Sequence, residues 1–331
     1  MILAAILGAM VALAGCGEKE EPRGGAEPEQ FTLALDFYVN PDHAGIYVGL
    51  ENGYFDEAGL AVEPQVPSDP SAPIRQVASG QVDLAISYEP EVVLARDEGL
   101  PVKAVAALVP RPLTSMIWTS ESGLKDVADL RGKTVATAGI PYQAAFLEQI
   151  LDGEGMTADD VNQVDVGFNL LPAVLSGRAD AMLGGFLNVE GVDLAERGTG
   201  PTVLPVDELG VPTYDELVLV ANEDRLDDDP EEIQLFIAAL ERGTHAAQRD
   251  PAAATDAILE AGQGLEPKLT EAEIKRTLPL LTDTSQRPYG FMDPKEWERF
   301  AGLFADAGLI ESRPTADELL TNENLPGRIP E

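Results

Sequence analysis

Cysteine is almost absent from this chain. Of 331 residues only Cys16 is one. A single cysteine excludes an intramolecular disulfide and a thiolate metal cluster. Histidine is nearly as scarce, with only His43 and His245, so no His-rich metal site is expected. Basic residues are few: Lys and Arg total 22 against 58 Asp and Glu, a formal net charge of −36. Such a surface repels nucleic acid and anionic lipid, which argues against both as partners. It also suits high salt, where screening quenches self-repulsion. Aromatic residues make up 6% of the chain, so any clustering among them carries information.

The rest of the composition is that of a soluble globular protein, with 44% hydrophobic and 24% charged residues. The length is comfortable for two lobes and large for one core. Residues 2–14 form an uncharged apolar run, too short for a stable bilayer anchor but suited to a signal-peptide core. No Lys or Arg precedes it, unlike most signal peptides. The run ends in Leu13-Ala14-Gly15-Cys16, which resembles a bacterial lipobox. On that reading residues 1–15 are a leader and Cys16 is lipidated. Residues 16–30 then form a tether, because Gly, Pro and charge replace apolar residues there. Stretched, it reaches roughly 45 Å at about 3.3 Å per residue. The expected location is the outer face of the cell membrane.

Beyond residue 30, β-branched or alternating runs take turns with helical periodicity. Strands are expected at 32–37, 62–66, 84–88, 102–109, 116–119, 134–138, 164–168, 181–185, 203–206 and 216–220. Helices are expected to begin near Ala44, Ala72, Glu91, Gln143, Leu170, Val189, Pro230, Pro251, Glu271 and Pro294. This alternation predicts an α/β fold with largely parallel sheets. A short repeat supports two lobes of similar build: Ser79-Gly80-Gln81-Val82-Asp83 is echoed by Ser176-Gly177-Arg178-Ala179-Asp180. In both copies the Gly suits a helix C-cap and the Asp suits the turn entering a strand. Pro230-Glu231-Glu232 and Thr270-Glu271-Ala272-Glu273 look like first turns of helices. The predicted division is 31–120 with 222–331 in one lobe, 121–211 in the other, and 212–221 as a hinge crossing. Ligand would sit between them, at the carboxyl ends of parallel strands.

Several motifs resemble the periplasmic binding proteins for thiamine pyrimidine precursors, a family related to the fungal hydroxymethylpyrimidine synthases. They are Asp36-Phe37-Tyr38-Val39-Asn40, His43-Ala44-Gly45-Ile46-Tyr47, Asn52-Gly53-Tyr54-Phe55, Tyr88-Glu89-Pro90, Gly139-Ile140-Pro141 and Tyr214 with Glu216-Leu217. The resemblance implies a two-lobed Venus-flytrap receptor that closes on an aminopyrimidine, such as formylaminopyrimidine or hydroxymethylpyrimidine. It also implies an ABC permease and its ATPase as partners. The receptor is expected to act as a monomer, with the membrane reached through Cys16. The family's first strand often ends in Asp-Trp. Here it is Asp36-Phe37, whose ring stacks but offers no indole N–H.

A flat neutral heterocycle needs aromatic faces and a few directed polar groups. Phe37, Tyr38, Tyr88, Tyr142, Phe186 and Tyr214 fall at expected strand ends or just after them. Asp36, Glu190 and Glu216 are candidate acceptors for an exocyclic amine. Asn40, His43 and Asn188 are further polar candidates, with Asn40 also a candidate helix cap. Gly139, Ile140 and Pro141 would bring bare backbone to the cleft before a helix. A riboflavin-like heterocycle is the alternative ligand. A sulfonate would ask for several Arg or Lys, and only Arg111 lies near the expected cleft. Catalysis and a cofactor are not expected: no lysine lies between Lys19 and Lys103 for a Schiff base, and no cysteine follows Cys16.

Overall fold

Ten short runs rich in Val, Leu, Ile and Ala become strands among the described residues. They are β1 (Glu29–Ala34), β2 (Leu60–Gln65), β3 (Leu84–Ser87), β4 (Val102–Val109), β5 (Thr114–Trp118), β6 (Thr134–Thr137), β7 (Asn162–Asp165), β8 (Ala181–Phe186), β9 (Thr202–Pro205) and β10 (Leu217–Asn222). The structure, a computed structural model, describes residues 28–282 and 287–327. The leader, Cys16 and the tether to residue 27 lie outside the described residues.

The strands form two five-stranded sheets, ordered β2-β1-β3-β10-β4 and β7-β6-β8-β5-β9. In the first, β1 is parallel to β2 and β3, while β10 is antiparallel to β3 and β4. In the second, β6 is parallel to β7 and β8, while β5 is antiparallel to β8 and β9. Each sheet therefore has four strands running one way and one opposed. In each, the opposed strand is the one that follows a crossing from the other lobe. This is the expected two-lobed α/β fold with mostly parallel strands.

The first crossing lies earlier than expected. The sequence places residues 31–120 in one lobe, but β5, at 114–118, pairs with β8 and β9 in the second sheet. The first crossing is thus residues 110–113, between β4 and β5, and not at the expected boundary after residue 120. Pro110 and Pro112 mark it physically, because each lacks the N–H a ladder needs and restrains the residue before it. The second crossing is residues 210–216, ahead of β10.

The sequence repeat has a common mechanical role. Gly80 and Gly177 turn the chain with φ of 69° and 70°. Asp83 Oδ2 then accepts from the N–H and hydroxyl of Thr32 in β1, at 2.6 and 2.7 Å. Asp180 Oδ2 accepts from the N–H of Thr134 in β6 at 2.9 Å. In each lobe an Asp just ahead of the middle strand, β3 or β8, bonds to its parallel neighbour, β1 or β6.

Proline begins the helices Pro141–Asp152, Pro230–Arg249, Pro251–Ala261, Pro267–Thr277 and Pro294–Asp306, where its missing N–H costs no bond. The stretch Thr270 to Glu273 is not a first turn: that helix begins at Pro267, with Glu266 accepting from Leu269 N–H at 2.9 Å. Pro230–Arg249 buries Ile233, Phe236, Ile237 and Leu240, a single helical stripe. Phe236 stacks on Phe31 of β1 with ring centroids 5.1 Å apart. Near the C-terminus, Thr321 N–H donates to Ala104 of β4 at 2.9 Å, which ties the end of the described chain to the first sheet. Among the described residues no helix is long and apolar enough to cross a membrane.

Candidate functional site

The carboxyl ends of β1, β3, β6 and β8 converge on one pocket. It holds about 430 Å³ counted to its open mouth. Asp36 and Phe37 follow β1, Tyr88 follows β3, Ile140 and Tyr142 follow β6, and Phe186 ends β8. Four aromatic rings from both lobes thus wall one space. Phe168, just after β7, meets Phe37 at 4.6 Å and Tyr38 at 4.4 Å between centroids, so aromatic contact joins the lobes there.

Asp36 is held on both oxygens. Tyr88 O–H donates to Oδ2 at 3.0 Å, and His43 Nε2 lies 2.9 Å from Oδ1. Asn40 N–H faces His43 Nδ1 at 3.3 Å, which makes Nδ1 an acceptor and leaves Nε2–H to donate to Asp36. His43 therefore stands behind the pocket and orients Asp36. Burial, with the Asp36 charge beside it, pushes the Tyr88 phenol well above its usual range, so it keeps its proton and remains a donor. Burial and nearby Glu216 do the same for Tyr142.

Two polar groups in the pocket have an atom to spare. Glu190, at the start of the helix Glu190–Glu196, accepts from Phe186 N–H at 2.7 Å on Oε2. No side chain of the described residues donates to its other oxygen. Burial raises this carboxyl, against the pull of the backbone donors. Gln143 Oε1 accepts from Ala138 N–H at 2.8 Å, while no described acceptor takes the Nε2 protons. That nitrogen fits because residue 184 is glycine: at its φ of +111°, a Cβ would lie 2.3 Å from Gln143 Nε2. The pocket thus offers one free carboxylate oxygen and one free amide donor between aromatic walls.

Eight of the fifteen residues expected at the site line this pocket: Asp36, Phe37, Asn40, Tyr88, Ile140, Tyr142, Phe186 and Glu190. Asn40 is also a cap, accepting from Asp42 N–H at 2.8 Å and donating to Tyr38 C=O at 3.0 Å. Tyr38 lies at an adjoining groove and is 53% exposed. Gly139 and Pro141 flank the pocket without lining it; Gly139, with φ +78°, makes room for the Asp165 carboxylate. Asn188 is buried at the lobe interface.

Tyr214 and Glu216 belong to the hinge. Glu216 accepts from Leu113 and Thr114 N–H at 2.6 Å each, from Thr114 O–H at 2.9 Å and from Tyr214 O–H at 3.0 Å. With its oxygens already bonded, it staples the two crossings together and does not line this pocket. Burial still pushes it up to about 7, against those four donors. The residue sequence reasoning missed is Gln143. Its signal was its place, in the first turn of the helix that follows Gly139-Ile140-Pro141.

Comparison with known proteins places the chain among relatives. The sequence profile described as NMT1/THI5 like matches residues 40–254. A Haemophilus influenzae protein named for thiamine biosynthesis is 36% identical over 284 residues, covering 85% of this chain and 88% of that protein. A formylaminopyrimidine-binding protein of Halalkalibacterium halodurans is 34% identical over 298 residues, covering 89% of this chain and 90% of that protein. Among solved structures, the alkanesulfonate-binding protein of Xanthomonas axonopodis bound to MOPS matches with a TM-score of 0.72 at 18% identity, over 89% of this chain and 99% of that one. At that identity the likeness carries the fold alone, that of periplasmic binding proteins.

The expectation that the chain is not an enzyme is overturned by the same comparison. An Aspergillus parasiticus protein named 4-amino-5-hydroxymethyl-2-methylpyrimidine phosphate synthase is 29% identical over 243 residues, 70% of each chain. A Legionella pneumophila protein of that name is 26% identical over 299 residues, 89% of this chain. Binding proteins and named synthases are both relatives, so a shortage of lysine and cysteine does not by itself exclude catalysis.

Proposed function

This chain belongs to the NMT1/THI5-like family, and from that premise we propose that it is an extracytoplasmic receptor for a thiamine pyrimidine precursor. It would close on formylaminopyrimidine or hydroxymethylpyrimidine and hand it to an ABC permease with its ATPase. One observation carries the reading: the free oxygen of Glu190 and the free amide of Gln143 face a single pocket walled by aromatic rings. An aminopyrimidine carries an amine donor beside a ring-nitrogen acceptor. The carboxylate accepts from the amine, the amide donates to the ring nitrogen, and the rings stack on its faces. A sulfonate finds the opposite chemistry, because among the described residues no Lys or Arg lines the pocket and Asp36 and Glu190 do.

Calorimetry with formylaminopyrimidine, hydroxymethylpyrimidine and riboflavin tests this, with native mass spectrometry to identify any co-purified ligand. A pyrimidine should bind below roughly 100 μM, about −5.5 kcal/mol. Riboflavin binding in that range, with neither pyrimidine, defeats the reading. Membrane attachment is proposed from Leu13-Ala14-Gly15-Cys16. Cys16→Ala should move the protein from the membrane fraction to the soluble fraction, and a variant that stays with the membrane removes Cys16 from that role.

A further inference from the structure

A second groove opens beside the pocket, between the residues after β1 and the helix Pro267–Thr277. It holds about 740 Å³ counted to its open mouth. Phe37, Asn40 and Val189 line both spaces, so the two adjoin. Phe37 and Tyr38 give the groove aromatic surface, while Leu265 and Leu269 contribute from the other side.

Glu273 lines this groove, is only 6% exposed, and receives no hydrogen bond from any described residue. Its charged surroundings are unfavourable. Asp42 from the turn after β1, and Glu190 and Asp193 from the helix Glu190–Glu196, all face it and reinforce burial, which pushes Glu273 up to about 8. Arg197 is the basic residue of the groove, and it is paired with Asp193 on both of that residue's oxygens. Glu266 is engaged as the helix cap. An unpaired carboxyl buried among acids is destabilising, and a positive group beside it relieves the cost. An organic cation is such a positive group. Aromatic faces beside a carboxylate suit such a group.

We propose that the groove is a second compartment of the ligand site, which takes an organic cation attached to the flat ring seated in the main pocket. This rests on the pyrimidine reading and extends it to ligands with a charged substituent. Glu273 would ionise as the cation arrives, releasing a proton near neutral pH.

Two probes of one shape test it: 4-amino-2-methylpyrimidine carrying a trimethylammoniomethyl group at position 5, and its neutral neopentyl counterpart. The charged probe should bind about 10-fold tighter to the wild type, within the range of a cation beside aromatic faces and a carboxylate. Its binding heat should vary with buffer ionisation enthalpy, showing proton release that the neutral probe lacks. Glu273→Gln should remove both the preference and the proton release while leaving the neutral probe's affinity unchanged. Equal affinity for the two probes, or a preference that survives Glu273→Gln, overturns the second compartment and leaves the pyrimidine pocket standing. Binding of neither probe nor of hydroxymethylpyrimidine defeats the pyrimidine reading itself, and this inference with it.

Discussion

Asn188 Nδ2 donates to Asp42 Oδ1 at 2.8 Å, joining a side chain that follows β8 in the second lobe to one that follows β1 in the first. The same nitrogen donates to Thr277 Oγ1 at 2.8 Å. The second oxygen of Asp42 and the carbonyl oxygen of Asn188 are both buried without a partner. Burial raises Asp42 well above the usual carboxylate range, with the Asp36 charge adding to it and the Asn188 bond opposing it. A neutral Asp42 has an O–H to give, which a carboxylate lacks. Asn188 therefore acts as a clasp across the cleft.

Removing the clasp should favour the open arrangement. Asn188→Ala is expected to weaken pyrimidine binding by about 1 kcal/mol, the value of one neutral hydrogen bond, through a smaller fraction of closed protein. Asp42→Asn keeps a donor and should change affinity by less than about 0.5 kcal/mol. Calorimetry gives the affinities, and small-angle scattering with and without ligand gives the closure. Loss of affinity in Asp42→Asn equal to that in Asn188→Ala would show that the charged form of Asp42 is needed.

Glu190 and Gln143 are predicted to act on binding and not on folding. Glu190→Gln retains an acceptor for Phe186 N–H but loses the charge offered to the amine. It should weaken pyrimidine binding by about 1.5–3 kcal/mol, as for a charged hydrogen bond. Gln143→Ala should weaken it by about 1 kcal/mol or more. Urea midpoints close to the wild type would keep both effects in the pocket. An unchanged affinity for Glu190→Gln would remove that carboxylate from ligand contact.

Glu216 makes the opposite prediction. Glu216→Ala strands the N–H groups of Leu113 and Thr114 and two hydroxyls at the junction of the crossings. Each buried donor left unmet costs about 1–3 kcal/mol, so a loss of at least about 3 kcal/mol in urea unfolding is expected. Full stability in Glu216→Ala would mean that the hinge does not depend on this carboxylate.

The contrast between Glu190 and Glu216 shows how far the sequence could be read. Both were candidates by residue type and by position near a strand, and nothing local separates them. What separates them is the neighbour of each. Glu216 meets Leu113 and Thr114, about a hundred residues away, and that contact exists only because the crossings run side by side. Most strands were legible because they are short apolar runs bounded by turn residues; β7, Asn162–Asp165, is largely polar and exposed and begins two residues before the expected 164–168. The lobe that owns β5 was not, because pairing partners are chosen by topology and leave no mark on the strand. Glu273 misled for a related reason. Thr270 and Glu273 have the spacing of a capping box, but Pro267 starts the helix a turn earlier and carries Glu273 inside, to the groove.

The buried carboxyls together set the pH dependence of stability. Glu91, Asp215 and Glu216 are each pushed up to about 7 and Glu273 to about 8, in every case first by burial. In an unfolded chain the same groups titrate near 4. Between those values the folded protein holds more protons than the unfolded one, so stability falls as pH rises. The contribution is fully present below about pH 4 and is lost as pH climbs through the folded values, up to about 8. The net charge of −36 also destabilises the fold as carboxyls ionise, but by repulsion across the surface that salt screens. Melting curves from pH 5 to pH 8.5 in molar salt isolate the buried groups, and a decline of roughly 5 °C or more is expected across that span. Glu273→Gln should flatten the upper part of the decline, between about pH 7 and pH 8.5. A melting temperature that stays level in molar salt would mean that these carboxyls titrate normally in the folded protein, and that surface repulsion alone governs its response to pH.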